Sequence, residues 1–249
     1  MFNKHAPLLL AFAALCCGAA TNSPAAGIDF EKLMGAGAKA GKALTLTDSE
    51  VVASANDACA YSDKENKVAP ADDKYAVRLA KIVQGLDNED GMKLSFKAYL
   101  TPDINAFAMA NGCVRVFSGL MDMASDDEIR GVIGHEIGHV KLGHSKAKQR
   151  AALLASAARD GVALSGKVGG YAKGQLGDIA ESVINAQFSQ KEESAADAYG
   201  YRFMVRHKYD PNAMVTLFRK IPSDGGLTSS HPASTERTKR VEQLIRKGS

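Results

Sequence analysis

Residues 125–140 must form a helix and must bury it, yet they carry two histidines and a glutamate. Ile129, Val132, Ile133, Ile137 and Val140 recur at helical spacing. Ser125 is placed as an N-cap, and Asp126, Asp127 and Glu128 fill a first turn where carboxylates favour the helix dipole. Inside this stretch lies His135-Glu136-Ile137-Gly138-His139. At about 100° per residue the two histidines differ by about 40°, so both imidazoles leave one face, one turn apart, as two ligands of a tetrahedral metal require. Glu136 then sits beside the metal without binding it, placed to take a proton from the attacking water and return it to a leaving amine. The competing reading is a pair of surface histidines on an amphipathic helix. The apolar flanks weigh against it, because unpaired buried imidazoles and a buried carboxylate are costly and a metal removes that cost. Gly134 and Gly138 each give up about 1 kcal/mol of helix propensity relative to Ala, which points to close packing against this face.

A third ligand is needed. A histidine six residues after His139 is absent, because position 145 is Ser145, and His144 would be rotated about 140° from His139 along a continuous helix. His144 is therefore read as structural. Glu193 is the better candidate, within Gln190-Lys191-Glu192-Glu193-Ser194-Ala195-Ala196-Asp197. Asp197 shares its helix face and would hydrogen-bond a ligand histidine to fix its tautomer, with alanines between them allowing close approach. Taken alone, such a pair is more simply a solvated helix face.

The rest of the chain supplies context. Met1 to His5 is a short polar start, followed by an apolar run over residues 8–17 and the small residues Gly18, Ala19 and Ala20. That order is a secretory signal, and the run is short of the roughly 18–20 residues that span a bilayer. Residues 1–20 are thus expected to direct export, and no later segment suits a transmembrane helix. Cys16 and Cys17 at the end of this run open a second outcome, acylation of a cysteine exposed by cleavage, although Ala13-Ala14-Leu15 departs from the order such signals favour. Cleavage after Ala20 or Ala26 would instead discard both. Residues 21–45 read as a glycine- and alanine-rich tether, and residues 46–249 as one domain of usual size.

Within that domain, residues 49–62 and 71–86 read as amphipathic helices and 93–100 as a half-buried strand. Residues 106–110 and 113–118 flank Asn111-Gly112, a dipeptide suited to the positive φ angles of a tight hairpin. Residues 161–177 hold six glycines and read as a mobile loop. Further helices are expected over 178–207, from Pro211, and over 233–246. With 31 Lys+Arg against 28 Asp+Glu, no Trp and 6% aromatic residues, nucleic acid is disfavoured as a partner. The four cysteines contain no CxxC pair, which excludes a cysteine-only zinc site. After export Cys59 and Cys113 would remain in an oxidising compartment, where a disulfide between them is expected.

Several separated motifs in order resemble a known family. His135-Glu136-xx-His139 with the later Glu193-xxx-Asp197 is similar to the gluzincin metallopeptidases related to HtpX and the CAAX prenyl proteases. So are Asn105-Ala106-Phe107-Ala108, Phe188-Ser189-Gln190, and His231-Pro232 ahead of Glu236-Arg237. The resemblance implies an α+β, mostly helical, zincin-like metallopeptidase domain with a small β-sheet or hairpin beside the active-site helix. It implies one Zn2+ held by His135, His139 and Glu193, with Glu136 as catalytic base. It also suggests catalytic roles for His231 and Arg237: a donor facing zinc for the oxyanion, or a histidine that closes the open coordination position. The plainer alternative is a helix-entry turn with Arg237 at the surface. An edge near residues 105–110 would receive an extended substrate as an added strand. The expected function is a zinc endopeptidase acting on misfolded or misassembled cell-envelope proteins in the periplasm, anchored to the outer membrane if lipidated. The rival is a periplasmic chaperone or assembly adaptor with a structural metal site, which would have no need of Glu136.

Overall fold

Among the described residues, three helices begin at a serine or threonine that meets a glutamate three residues on. The computed structural model describes residues 46–160, 173–185, 187–221, 227–231 and 235–248. The expected signal with Cys16 and Cys17, the tether, and residues 161–172 of the glycine-rich segment lie outside them. In chain order the helices are α1 (Asp48–Glu65), α2 (Lys74–Ile82), α3 (Ser118–Met123), α4 (Asp126–Lys141), α5 (His144–Asp160), α6 (Lys173–Ile184), α7 (Gln190–Arg206), α8 (Asn212–Lys220), α9 (Leu227–Ser230) and α10 (Thr235–Lys247). Capping boxes start α1 at Thr47 with Glu50, α4 at Ser125 with Glu128, and α7 at Ser189 with Glu192. In each, side chain and backbone satisfy two otherwise orphaned donors reciprocally.

Strands β1 (Asn88–Glu89) and β2 (Met92–Lys93) form a small antiparallel ribbon. β3 (Ser95–Tyr99), β4 (Ala106–Ala108) and β5 (Cys113–Phe117) form a second sheet with β5 in the middle. β3 runs parallel to β5, pairing Ser95 with Cys113, while β4 runs antiparallel to it, pairing Ala106 with Val116. The β4–β5 hairpin is where the sequence places it, with a different turn. Gly112 alone takes the positive φ, +81°, while Asn111 Oδ1 accepts a hydrogen bond from Cys113 N–H at 3.1 Å. A Cβ on Gly112 would also lie 2.1 Å from Lys93 O, so glycine is required there twice over.

Packing of α4 on α7 fixes the centre of the molecule. A Cβ on Gly134 would lie 2.5 Å from Phe203 Cδ1, and one on Gly138 would lie 3.1 Å from Tyr199 Cβ. The glycines predicted to mark a close approach therefore do so, and the partner is α7. Around this pair Ile129, Ile133, Ile137, Tyr199, Phe203, Met204, Met214 and Leu217 form the main core. A second apolar cluster joins α1, α5 and α6 to one side of the sheet through Val51, Ala55, Leu153, Ile179 and Phe107. The expected disulfide joins Cys59 of α1 to Cys113 of β5, with Cα atoms 6.5 Å apart.

The structure corrects three expectations. Residues 178–207 are not one helix: α6 ends at Ile184 and α7 restarts after the Ser189 cap. α6 begins at Lys173, so the last residues of the glycine-rich segment are helical, not loop. Helix α5, over His144–Asp160, was not anticipated at all. Among the described residues, no helix is long and apolar enough to cross a membrane.

Candidate metal centre

Four elements converge on one point. α4 carries His135, Glu136 and His139; α7 carries Glu193 and Asp197; His231 follows α9; Arg237 stands in the first turn of α10. All seven side chains are buried. The structure thus brings together every residue that the sequence proposes for the site.

His135, His139, Glu193 and His231 each offer one ligand atom, all within 4.8 Å of one another. His135 Nε2 is 3.0 Å from His139 Nε2 and 3.2 Å from His231 Nδ1. Glu193 Oε1 is 3.0 Å from His231 Nδ1 and 3.4 Å from His139 Nε2, and Glu193 Oε2 is 3.6 Å from His135 Nε2. Four donors arranged as a tetrahedron about 2.0–2.1 Å from a cation lie roughly 3.3–3.4 Å apart. With Glu193 Oε1 as the carboxylate donor, the separations given run from 3.0 to 3.4 Å, close to that value, so the donor set suits a small four-coordinate cation.

The remaining contacts orient these donors. Asp197 Oδ1 is 2.9 Å from His135 Nδ1, on the side of the ring away from the cluster. Arg237 Nη2 and Nε hold Asp197 at 2.6 and 2.8 Å, and Arg237 Nη1 lies 2.6 Å from Glu193 Oε2. The guanidinium is thus a brace for two carboxylates at a buried position, not a surface group. Glu136 Oε2 accepts the Ala108 backbone N–H of β4 at 3.0 Å, and Glu136 Oε1 is 3.2 Å from His231 Nε2. Phe188 stacks on His139 at 3.7 Å and on His231 at 5.1 Å, while its own N–H donates to Ser230 O.

The sequence places Ala108 only in an edge for substrate, not behind Glu136, and gives Phe188 no contact with the cluster. The first acts through its backbone and leaves no side-chain signal; the second was visible only as a motif. His144 was set aside on the assumption of a continuous helix, whereas Gly143 takes φ +80° and ends it.

The profile of peptidase family M48 matches residues 76–245. The chain belongs to peptidase family M48. As an M48 chain it is a metalloendopeptidase, and it is 45% identical to the metalloprotease YcaL of Escherichia coli K12, covering 98% of this chain and 99% of that one. To the metalloprotease LoiP of the same organism it is 42% identical over 88% of this chain and 89% of that one. The mitochondrial metalloendopeptidase OMA1 of Schizosaccharomyces pombe is 28% identical, over 69% of this chain and 52% of its own length.

Electrostatics in this M48 site follow from burial. Burial pushes the Glu136 carboxyl above its ordinary value, which suits a group that must accept a proton. It pushes the His139 imidazole down to about 2, keeping that ring neutral and able to offer a lone pair. For Asp197, burial acts upward, but hydrogen bonds from Arg237 and His135 outweigh it and hold the carboxylate ionised. Beside Glu136 and His135 opens an apolar pocket walled by Gly131, Val132, Met214, Leu217, Phe218 and Leu227.

Proposed function

We propose that this M48 chain is a zinc endopeptidase that cleaves misfolded or misassembled cell-envelope proteins in the periplasm. Two or three imidazoles and a carboxylate around one point suit zinc over harder cations. When bound, zinc lowers the pKa of water and polarises the scissile carbonyl. Glu136 takes the proton of the attacking water and delivers it to the leaving amine; the Ala108 N–H keeps its carboxylate aimed at the cluster. Asp197 and Arg237 hold the ligands in place. The single observation that carries the reading is Glu136 itself, a buried carboxylate held beside a complete donor set. A chaperone or adaptor with a structural metal would have no use for it.

Substrate preference is argued from the surroundings. β4 is an edge strand of its sheet and lies against α4, suited to an extended chain added as a further strand. The apolar pocket beside Glu136 suits a hydrophobic side chain next to the scissile bond, of the kind that misfolded chains expose. His231 is read as a cap: its Nδ1 stands at the fourth corner of the cluster and its Nε2 faces the base. It must withdraw before water and substrate enter. For location, acylation of Cys16 or Cys17 would hold the enzyme at the outer membrane, and cleavage after Ala20 or Ala26 would leave it free. The mass of the mature N-terminus distinguishes them.

Casein hydrolysis by wild type and Glu136→Gln, each with zinc content measured, tests the function. The expected loss is about 10²–10⁴-fold with zinc retained; equal activity in the two would sink the enzyme reading. His231→Ala is expected to cut a short peptide faster than wild type, and slower if the histidine serves the oxyanion.

A further inference from the structure

The connection between α4 and α5 brings to the cluster a residue that the motif and the proposed chemistry leave unused. α4 stops at Lys141, Gly143 takes the left-handed φ of +80°, and α5 opens at His144. A continuous helix would point His144 about 140° away from His139. The break turns the chain back on itself and puts His144 Nδ1 2.9 Å from His139 Nδ1, with ring centroids 5.1 Å apart and planes at 62°. His139 is fully buried and aims its Nε2 at the donors of the cluster. A histidine that binds metal through Nε2 carries its proton on Nδ1, and at a buried site that proton needs an acceptor.

We propose that His144 is a positioning residue: its unprotonated Nδ1 accepts the Nδ1–H of His139, fixing the tautomer and ring plane that present Nε2 to the metal. Asp197 does the corresponding work for His135, at 2.9 Å. The two ligand histidines are therefore held by different chemistry, an anion for one and a neutral ring for the other. The difference makes electrostatic sense. Glu136, Glu193 and Asp197 already place three carboxylates here against the single guanidinium of Arg237. A fourth carboxylate behind His139 would add uncompensated buried charge, which a neutral acceptor avoids. Phe188 lies flat on His139, so a ring confined on one face is held at its edge by His144.

The proposal rests on the metallopeptidase reading, and its test needs no peptide hydrolysis. Zinc affinity of the mature full-length protein is measured by competition with a chelator. His144→Phe keeps a ring and removes the acceptor; the expected loss of zinc affinity is about 10–100-fold. His144→Asn, which restores an acceptor oxygen at similar reach, is expected to recover most of it. Long-range 1H–15N spectra of zinc-loaded wild type are expected to show His139 protonated at Nδ1 and His144 at Nε2. Zinc affinity of His144→Phe within twofold of wild type overturns the proposal, as does a proton on His144 Nδ1 in the loaded protein. Should the Phe variant fail to fold, the wild-type tautomers decide. A wild type that binds no zinc overturns the functional reading together with this one, whereas a wild type that binds zinc and cleaves no casein overturns the functional reading alone.

Discussion

The two apolar clusters of this fold are held together by different means. Around α4 and α7, backbones approach through Gly134 and Gly138, and the polar groups buried between the helices belong to the metal cluster. Between α1, α5, α6 and the sheet, a covalent link from Cys59 to Cys113 joins the parts. Polar burial there centres on Arg115 of β5, which donates to Asp63 of α1, and is otherwise scattered: Gln149 Nε2 donates to Ser54 Oγ at 3.1 Å, while Ser145 Oγ, Gln149 Oε1 and Asp57 Oδ2 find no partner among the described residues. Shape complementarity thus holds the chemistry, and a cross-link holds the support behind it.

That division is open to attack from both sides. The largest effect expected is from reducing the disulfide or replacing both cysteines by Ala. With a sequence separation of 54, the chain-entropy argument gives a loss of about 4 kcal/mol. Urea unfolding should show it, with zinc stoichiometry unchanged below the transition; zinc lost in step with the disulfide would erase the distinction. Next comes Gly134→Ala, which drives a methyl into Phe203 and is expected to cost about 1–3 kcal/mol. Here zinc affinity should fall as well, since α7 carries Glu193; a destabilised variant with wild-type zinc affinity would show that the helix pair does not set the ligand geometry.

The smallest effect concerns pH. Burial acts to raise the Asp63 carboxyl, but hydrogen bonds from Arg115, Lys97 and Tyr99 outweigh it and hold it down at about 2. A carboxyl depressed in the folded state stabilises above its unfolded value of about 3.9, and that contribution is lost as pH falls toward 2. Because Asp63 lies on α1 and its partners on β3 and β5, the loss should weaken the cross-linked side of the molecule. Asp63→Asn is expected to flatten the acid limb of stability against pH between 5 and 2; an unchanged limb would assign it to the site carboxylates.

Much of the site was legible because its information is local. Two histidines four apart and the intervening base follow from helical period, and Ser125 with Glu128 marks the start of α4 directly, whereas the Glu193–Asp197 pair, by itself a solvated helix face, needed the family resemblance. The breaks were harder. Between α6 and α7 the sequence has neither Gly nor Pro, and the chain leaves the helix where Phe188 N–H finds Ser230 O across the site. That bond belongs to tertiary structure, and so does the seat of Ala108 behind Glu136. His144 failed for a related reason. Rotation along a helix is a sound argument only while the helix lasts, and the φ of Gly143 ends it two residues past Lys141.

The wide spacing of the donors along the chain bears on self-digestion. Only His135 and His139 are neighbours in sequence; Glu193 lies 38 residues before His231, and His231 lies 96 after His135. Closing loops of that length costs entropy that is recovered only when α4, α7 and the α9 segment dock together. A peptidase whose proposed substrates are unfolded chains is itself one until that moment. Its cutting centre is assembled by the same step that removes it from the pool of substrates, so a half-folded copy has nothing with which to attack its neighbours.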